Sequence, residues 1–245
     1  MKTNRPSAWK VLLAALFFSG TIVGIVDPAR PHVEAAETAL ASQEDVSNDP
    51  GEPFNEKTFW FNRQLDRFVL KPIATGYDWL LPDAAQRSVK NSLDNLNVGR
   101  RLTNNLLQGK GTGAAREVAR FTINSTIGVG GLFDVAKDSF GIKQSDEDTG
   151  QTLGYYGVGP GPYLVLPFLP VTTVRDGIGM IADAAMNPAT YFLPIGAMLG
   201  IAGETTVNER SLNLDKYERV QESVVDLYGA VRDAYLQNRE AKIKE

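Results

Sequence analysis

The sequence predicts a mostly α-helical protein of one domain that holds a ring or pocket within a membrane. Three observations support this class. Apolar side chains recur at helical spacing, and no run of five or more residues alternates apolar and polar side chains as a half-buried strand would. Two apolar segments, 150–170 and 189–202, are interrupted by Gly and Pro. Residues 1–35 have the pattern of an export signal.

The N-terminal segment predicts a signal peptide. Lys2, Arg5 and Lys10 precede a mostly apolar run over 11–26. Small residues then fit the cleavage pattern at Ala35 and again at Ala41. We expect cleavage after Ala35, because the second site leaves a long polar stretch before it. The alternative is an uncleaved anchor, for which the apolar run is short.

Composition limits the classes of function. The net charge of −4 argues against a nucleic-acid partner. The chain has no cysteine, and its only histidine, His32, lies in the segment expected to be removed. Residues 36–245 therefore offer no Ser-His-Asp or Cys-His pair and no His or Cys ligand for zinc. We expect no enzymatic activity, metal or cofactor, although Ser-Lys and paired-carboxylate chemistry stay open on residue types alone.

The domain is expected to begin after a linker. Residues 36–51 are polar and acidic, which predicts a flexible tether before a helical domain over 52–245. Pro72 is expected to end or kink the first helix, and Pro82 marks a further boundary. One face of this first helix is formed by Phe54, Thr58, Phe61, Leu65, Phe68 and Val69.

Three more helices are predicted before residue 128. The first lies within 82–96, and the second, within 100–108, stops at Gly109. The third covers 113–128 and directs four side chains toward a core: Val118, Phe121, Thr122 and Ile123.

A Gly-rich turn at 128–134 then leads into a short helix. The acidic residues 146–148 follow it and predict a solvated loop, with a mobile lid beside a cavity as the sharper alternative.

The segment 150–170 supports the membrane prediction. Nine of its 21 residues are Gly or Pro, which excludes a regular helix, yet 163–169 is strongly apolar. Irregular backbone survives at membrane depth only where it is buried in protein or lines a cavity, because unpaired backbone groups are costly there. We therefore expect a membrane-embedded ring or pocket at this segment.

The C-terminal third is predicted to be helical. Thr172 or Thr173 caps a helix that ends near Pro188. Within it, Arg175 and Asp176 form either a local ion pair or a contact to a lipid phosphate. Segment 189–202 is too short to span a bilayer and fits a buried or re-entrant position. A last amphipathic helix is predicted from one apolar stripe: Leu214, Tyr217, Val220, Val224, Leu227, Tyr228, Val231 and Tyr235.

Three motifs carry a family resemblance in the same order along the chain. They are "GGLFDVA" at 130–136, "GQTLGYYGVGPGPYLVLPF" at 150–168 and "TVRDGIG" at 173–179. With flanking matches they cover most of residues 49–245. The chain resembles the MlaA (VacJ) outer-membrane phospholipid-transport proteins of Gram-negative bacteria.

The resemblance implies a function and partners. Such proteins are all-α rings in the inner leaflet of the outer membrane, on its periplasmic side. Phospholipid misplaced in the outer leaflet descends through a central amphipathic channel to a soluble periplasmic carrier, which maintains lipid asymmetry. Association with trimeric porins is also implied, and no chemistry on the lipid.

The resemblance also implies which residues line or support the channel, with the glycines expected to act as scaffold. The Gly-rich turn contributes Gly128, Gly130, Gly131, Phe133 and Asp134. The second motif contributes Gly150, Leu153, Gly154, Tyr155, Gly157, Gly159, Gly161, Pro162 and Tyr163. The third contributes Thr173, Arg175 and Asp176.

The chain departs from the family pattern at two places. Relatives commonly carry a lipidated cysteine after the signal, so attachment here is expected to come from embedded apolar helices or porin contact. Where relatives often have Asn-Arg, this chain has Asn55-Glu56. Two other functions stay open: a porin-associated envelope scaffold that moves no lipid and a membrane lipid hydrolase.

Overall fold

The computed structural model describes residues 49–187 and 189–245; the predicted signal peptide and its cleavage sites lie outside them. The described chain is mostly helical with one minimal sheet, which confirms the predicted class. The helices are α1 Glu52–Leu65, α2 Lys71–Leu80, α3 Asp83–Leu96, α4 Val98–Leu107, α5 Gly111–Thr126, α6 Val135–Asp138, α7 Thr149–Tyr155, α8 Val174–Met186, α9 Ala189–Phe192, α10 Ile195–Ser211, α11 Leu214–Ser223 and α12 Leu227–Lys244.

The folded part starts earlier than predicted. Asp49 is buried, and its carboxylate accepts hydrogen bonds from Gly51 N (3.0 Å), the Asn55 amide and the Tyr228 hydroxyl (2.5 Å). Residues 49–51 therefore belong to the fold rather than to the flexible linker expected over 36–51, because the Asp49 carboxylate binds the Asn55 side chain of α1.

Proline sets the predicted boundaries in the first helices. A π-helical turn, Asp66–Leu70, joins α1 to α2, and Pro72 occupies the first turn of α2. Since proline has no N–H to donate, it perturbs the hydrogen-bond ladder one turn earlier. Pro82 directly precedes α3. The first helix ends before Pro72 and Pro82 marks the next boundary, as predicted.

The single C-terminal helix was a wrong prediction. Val224 is extended, with φ −116° and ψ 127°, and the chain restarts as α12. Asp226 caps α12 by accepting a hydrogen bond of 3.1 Å from Gly229 N. The apolar stripe continues across the break, so periodicity alone did not reveal it.

Segment 150–170 is part helix and part strand. Residues 150–155 belong to α7, so the exclusion of a regular helix was wrong there: Gly150 and Gly154 sit where α7 packs closely on its neighbours. Further along, Tyr163–Leu164 (β1) pairs antiparallel with Thr172–Thr173 (β2), with Tyr163 opposite Thr173. This two-residue ladder closes the apolar loop between them.

The helices bury polar side chains and expose apolar ones. In α5, Glu117, Arg120 and Asn124 are buried, whereas the predicted core residues Val118, Phe121 and Thr122 are exposed and Ile123 is half-buried. The helical period was right and the direction of its apolar face was wrong. The reversal extends along α1, the π-helical turn and α2, which expose Phe54, Trp60, Phe61, Phe68, Ile73, Trp79 and Leu80. Of the helices described, none is long and apolar enough to cross a membrane.

Candidate functional site

The helices form a ring around a central cavity of about 210 Å³. Its wall comes from α3, α4, α8, α10 and α12, together with the residue that caps α7 and the chain at β2. The wall is amphipathic. Its apolar members are Leu93, Pro170, Val171, Met180 and Ala184; its charged members are Lys90, Asp94, Arg100, Asp148, Asp176, Asp183, Glu209 and Arg239.

Arg239 joins three elements at the cavity wall. Its guanidinium donates to both carboxylate oxygens of Asp148, at 2.6 and 2.9 Å, and to both of Asp176, at 3.0 and 2.9 Å. Burial raises the pKa of Asp148, but the hydrogen bonds and charge of Arg239 outweigh it and hold that pKa at about 2. The same partners raise the pKa of Arg239 despite its burial. All three side chains therefore stay charged at neutral pH.

Asp176 is the hub of a wider network. It also accepts hydrogen bonds from the Tyr235 hydroxyl (2.6 Å) and from Arg175 Nε (2.9 Å). Arg175 is itself buried, and its other contact is the carbonyl of Val158 at 3.3 Å. Of the two readings of this Arg-Asp pair, the structure contains the local ion pair, and Arg175 does not line the cavity.

Two further carboxylates lie at the wall in different environments. Asp183 accepts from the Thr149 hydroxyl (2.6 Å) and amide (3.1 Å), and burial raises its pKa against the attraction of Arg100. Burial also raises the pKa of Glu209 to about 7, although Lys90 Nζ lies 3.7 Å from its Oε1. Glu209 Oε2 is buried without a hydrogen-bond partner in the described chain.

Lys90 and Arg100 are the other cations of the wall. Burial lowers the pKa of Lys90, but Asp94, at 2.9 Å, and Glu209 outweigh that effect and leave the pKa raised. The Arg100 side chain forms no hydrogen bond or ion pair with any residue that the structure describes, and its Nε is buried without a partner.

The predicted Gly-rich turn lies away from the central cavity. Gly131, with φ +90°, abuts Asn95, where an added Cβ would stand 2.7 Å from the Asn95 Cβ. Gly128 is enclosed by backbone, Gly130 has φ +69° in open space, and Phe133 is exposed.

Asp134 closes this turn onto α5. It accepts hydrogen bonds from Arg120 and Asn124, both at 2.9 Å, and lines a polar pocket of only about 10 Å³. None of the predicted residues of this turn lines the larger cavity.

The second motif packs closely against α8 and α12. An added Cβ on Gly150 would stand 2.5 Å from Asp176 Oδ1, and one on Gly154 2.5 Å from Ile243 Cδ1. Tyr163 is buried in an aromatic cluster with Tyr228 and Tyr235.

The rest of this motif lies in α7 and in the turns between α7 and β1. Gly157 and Gly161 have φ of +85° and +68°. The Leu153 and Pro162 carbonyls accept hydrogen bonds from Val158 N and Val174 N. Tyr155 and Gly159 are exposed.

Among the predicted residues, Asp176 is the one that reaches the cavity wall, and Thr173 caps the helix that carries it. The sequence reasoning missed the other charged wall residues. A usable signal was Lys90, Leu93, Asp94 and Asn97, which recur at helical spacing along α3 and the residue that follows it and place two charges on one face beside a leucine.

Comparison with known proteins agrees with this architecture. The family profile of the MlaA lipoprotein matches residues 47–242. A solved chain, determined in work on the structural basis for maintenance of bacterial outer membrane lipid asymmetry, superposes with a TM-score of 0.72 at 31% identity, covering 80% of this chain and 99% of that one.

Relatives in bacterial proteomes cover a similar range. An uncharacterized protein of Rickettsia bellii is 38% identical over 197 residues, or 80% of this chain and 77% of its own length. The intermembrane phospholipid transport system lipoprotein MlaA of Haemophilus influenzae is 33% identical over 201 residues, or 81% of this chain and 80% of its own. The chain therefore belongs to the MlaA lipoprotein family.

Proposed function

We propose that this protein transports phospholipid between membranes of the bacterial envelope and so maintains outer-membrane lipid asymmetry. The observation that carries the proposal is the amphipathic cavity enclosed by the helical ring. A phospholipid needs a polar path for its headgroup and an apolar wall for its chains, and this cavity has both. Family membership adds support, because the Haemophilus influenzae relative is named for intermembrane phospholipid transport.

The outer surface supports residence within one leaflet. Trp79 is 87% exposed and Phe192 is 85% exposed, and large apolar side chains recur over most helices. A water-soluble surface rarely carries contiguous apolar area of this extent, whereas a surface that contacts lipid chains does. We infer that these side chains hold the ring in the inner leaflet of the outer membrane, on its periplasmic side.

We infer passage of lipid through the cavity rather than chemistry on it. Asp148 and Asp176 are both committed to Arg239, so neither is free to act as a base. Transport breaks no covalent bond and needs only a sequence of weak contacts. A soluble periplasmic carrier that accepts the lipid, and a porin trimer that holds the ring beside it, complete the proposal.

Lipid analysis tests the proposal against its two rivals. The protein is purified from its native membrane in mild detergent, and bound lipid is extracted and identified. Intact phospholipid at a reproducible ratio to protein is the expected result. Accumulation of lyso-phospholipid would favour a hydrolase, and protein free of lipid would favour a scaffold.

A further inference from the structure

Arg100 is distinctive among the charged residues of the cavity. Arg239 is matched by two carboxylates, and Lys90 lies between Asp94 and Glu209. The Arg100 side chain forms no hydrogen bond or ion pair with the residues that the structure describes, its charge acts on Asp183 and Asp148 only at longer range, and its Nε is buried without a hydrogen bond. A guanidinium that is partly desolvated and unpaired is costly unless an anion satisfies it, and its planar fork suits a phosphate.

Glu209 provides the opposite feature in the same wall. Its side chain is only 8% exposed, and Oε2 has no hydrogen-bond partner in the part of the chain that the structure describes. Its nearest cation is Lys90, whose Nζ lies 3.7 Å from Glu209 but only 2.9 Å from Asp94. A second cation entering the cavity would satisfy the free oxygen and stabilise the carboxylate in its charged form, against the burial that raises its pKa to about 7.

The charge of the whole wall decides between headgroup classes. Three basic side chains, Lys90, Arg100 and Arg239, face five acidic ones, Asp94, Asp148, Asp176, Asp183 and Glu209. A headgroup with only a negative phosphate would meet an excess of negative charge. A zwitterionic headgroup would place its phosphate at the unpaired arginine and offer its cation to the acidic excess.

We propose that the cavity selects a zwitterionic, amine-bearing phospholipid headgroup, with the Arg100 guanidinium contacting its phosphate and the Glu209 carboxylate contacting its ammonium group. This inference rests on the proposed transport function and adds to it a headgroup class and two specificity residues.

Lipid retention from membranes of known composition tests it. The protein is reconstituted into vesicles that contain equal amounts of phosphatidylethanolamine and phosphatidylglycerol. It is then re-extracted in mild detergent, and its bound lipid is counted by native mass spectrometry. Lipid on the outer surface is measured with Met180→Trp, which fills the cavity, and subtracted. We expect the wild type to retain several-fold more of the ethanolamine lipid than of the glycerol lipid.

Two variants separate the two contacts. Arg100→Gln is expected to lower retention of both lipids several-fold, because both carry the phosphate, and Arg100→Lys is expected to restore much of it. Glu209→Gln is expected to retain lipid but to bring the ratio of the two close to one. Arg87→Gln, which removes an exposed arginine from α3, is expected to behave as the wild type. Thermal unfolding confirms that each variant is folded.

The contrary results distinguish failure of the headgroup inference from failure of the transport proposal. A wild type that retains phospholipid at the vesicle ratio would overturn the headgroup inference and leave the transport proposal standing. The same holds for an Arg100→Gln variant that retains as much lipid as the wild type, or for a Glu209→Gln variant with an unchanged ratio. A wild type that retains no lipid within the cavity would overturn both proposals.

Discussion

The side-chain amide of Asn55 forms hydrogen bonds to the backbone at Tyr163 and Val165, more than a hundred positions away. Its Oδ1 accepts a hydrogen bond of 2.9 Å from Val165 N, and its Nδ2 donates to the Tyr163 carbonyl at 2.8 Å. Asn55 is fully buried, and so is Val165 to within 1%. One side chain of α1 thus satisfies backbone groups in β1 and directly after it, on the side where the described residues provide no second strand.

Removing these two hydrogen bonds is expected to destabilise the fold. Asn55→Ala leaves a buried N–H and a buried carbonyl unpaired, and we expect a loss of about 2–4 kcal/mol in the free energy of unfolding. Asn62→Ala is the matched control, since Asn62 makes the same pair of contacts, to Leu166 O and Phe168 N, near the surface where water can replace them. Denaturant unfolding followed by circular dichroism measures both. Equal losses in the two variants would contradict the argument.

Two glycines of α8 are expected to respond in opposite directions to the same substitution. An added Cβ on Gly179 would stand 2.4 Å from Gly150 N, whereas one on Gly177 finds its nearest atom, Thr172 Cγ2, at 3.9 Å. Gly179→Ala must push α7 away from α8, with a net loss of about 2 kcal/mol. Gly177→Ala is expected to gain about 0.5–1 kcal/mol from its lower backbone entropy. Thermal unfolding decides, and a stabilised Gly179→Ala would show that α7 is not held at this contact.

The Arg239 junction is expected to be the most sensitive charged site. Arg239→Gln leaves Asp148 and Asp176 without their shared cation, and breaking a buried pair in this way costs about 3–5 kcal/mol. The pKa of Asp148 is depressed, so its stabilising contribution is present above the usual carboxylate pKa and is lost as pH falls toward 2. The deficit of the variant should therefore be largest at pH 7 and shrink by pH 3. A deficit that does not vary with pH would contradict this origin.

The contribution of Glu209 to stability is expected to have the opposite pH dependence. Its pKa is raised from 4.5 to about 7, so between these values the folded state keeps a proton that the unfolded state loses, and stability falls as pH rises. This cost reaches about 3 kcal/mol above pH 7. Glu209→Gln should therefore match the wild type near pH 4 and be more stable at pH 8. Glu240→Gln, at an exposed position, should show no such gain in stability between pH 4 and pH 8. The same behaviour in both variants would refute the assignment.

Local features of the fold were predictable from sequence, and long-range features were not. Thr173 was predicted as a cap because its contact, to Asp176 N, is three residues away. Pro72 and Gly109 act on their own backbone in the same way. Arg239, by contrast, binds Asp148 and Asp176 from 91 and 63 residues away, and no local pattern announces such a pairing.

The direction of a helix face was the second limit. The spacing of Val118, Phe121 and Thr122 identified α5, but the rule that apolar faces point inward failed because polar side chains occupy the interior of this ring. In a protein whose surroundings are apolar, the same periodicity predicts the outer surface. The charged residues of the cavity wall other than Asp176 were missed for this reason, because charged side chains on a helix were not expected to point inward.

The central claim, that lipid passes through the cavity, is tested most directly in cells. Phospholipid exposed at the cell surface is labelled with a reagent that cannot enter the envelope, in a strain lacking the gene and in strains complemented with variants. Met180→Trp fills the cavity from α8, and Ile178→Trp adds the same side chain to the exposed face of that helix.

We predict that deletion raises surface phospholipid and that the wild type and Ile178→Trp reverse the rise, whereas Met180→Trp does not, at equal protein levels in the membrane. Full reversal by Met180→Trp, or no rise on deletion, would contradict transport through this cavity.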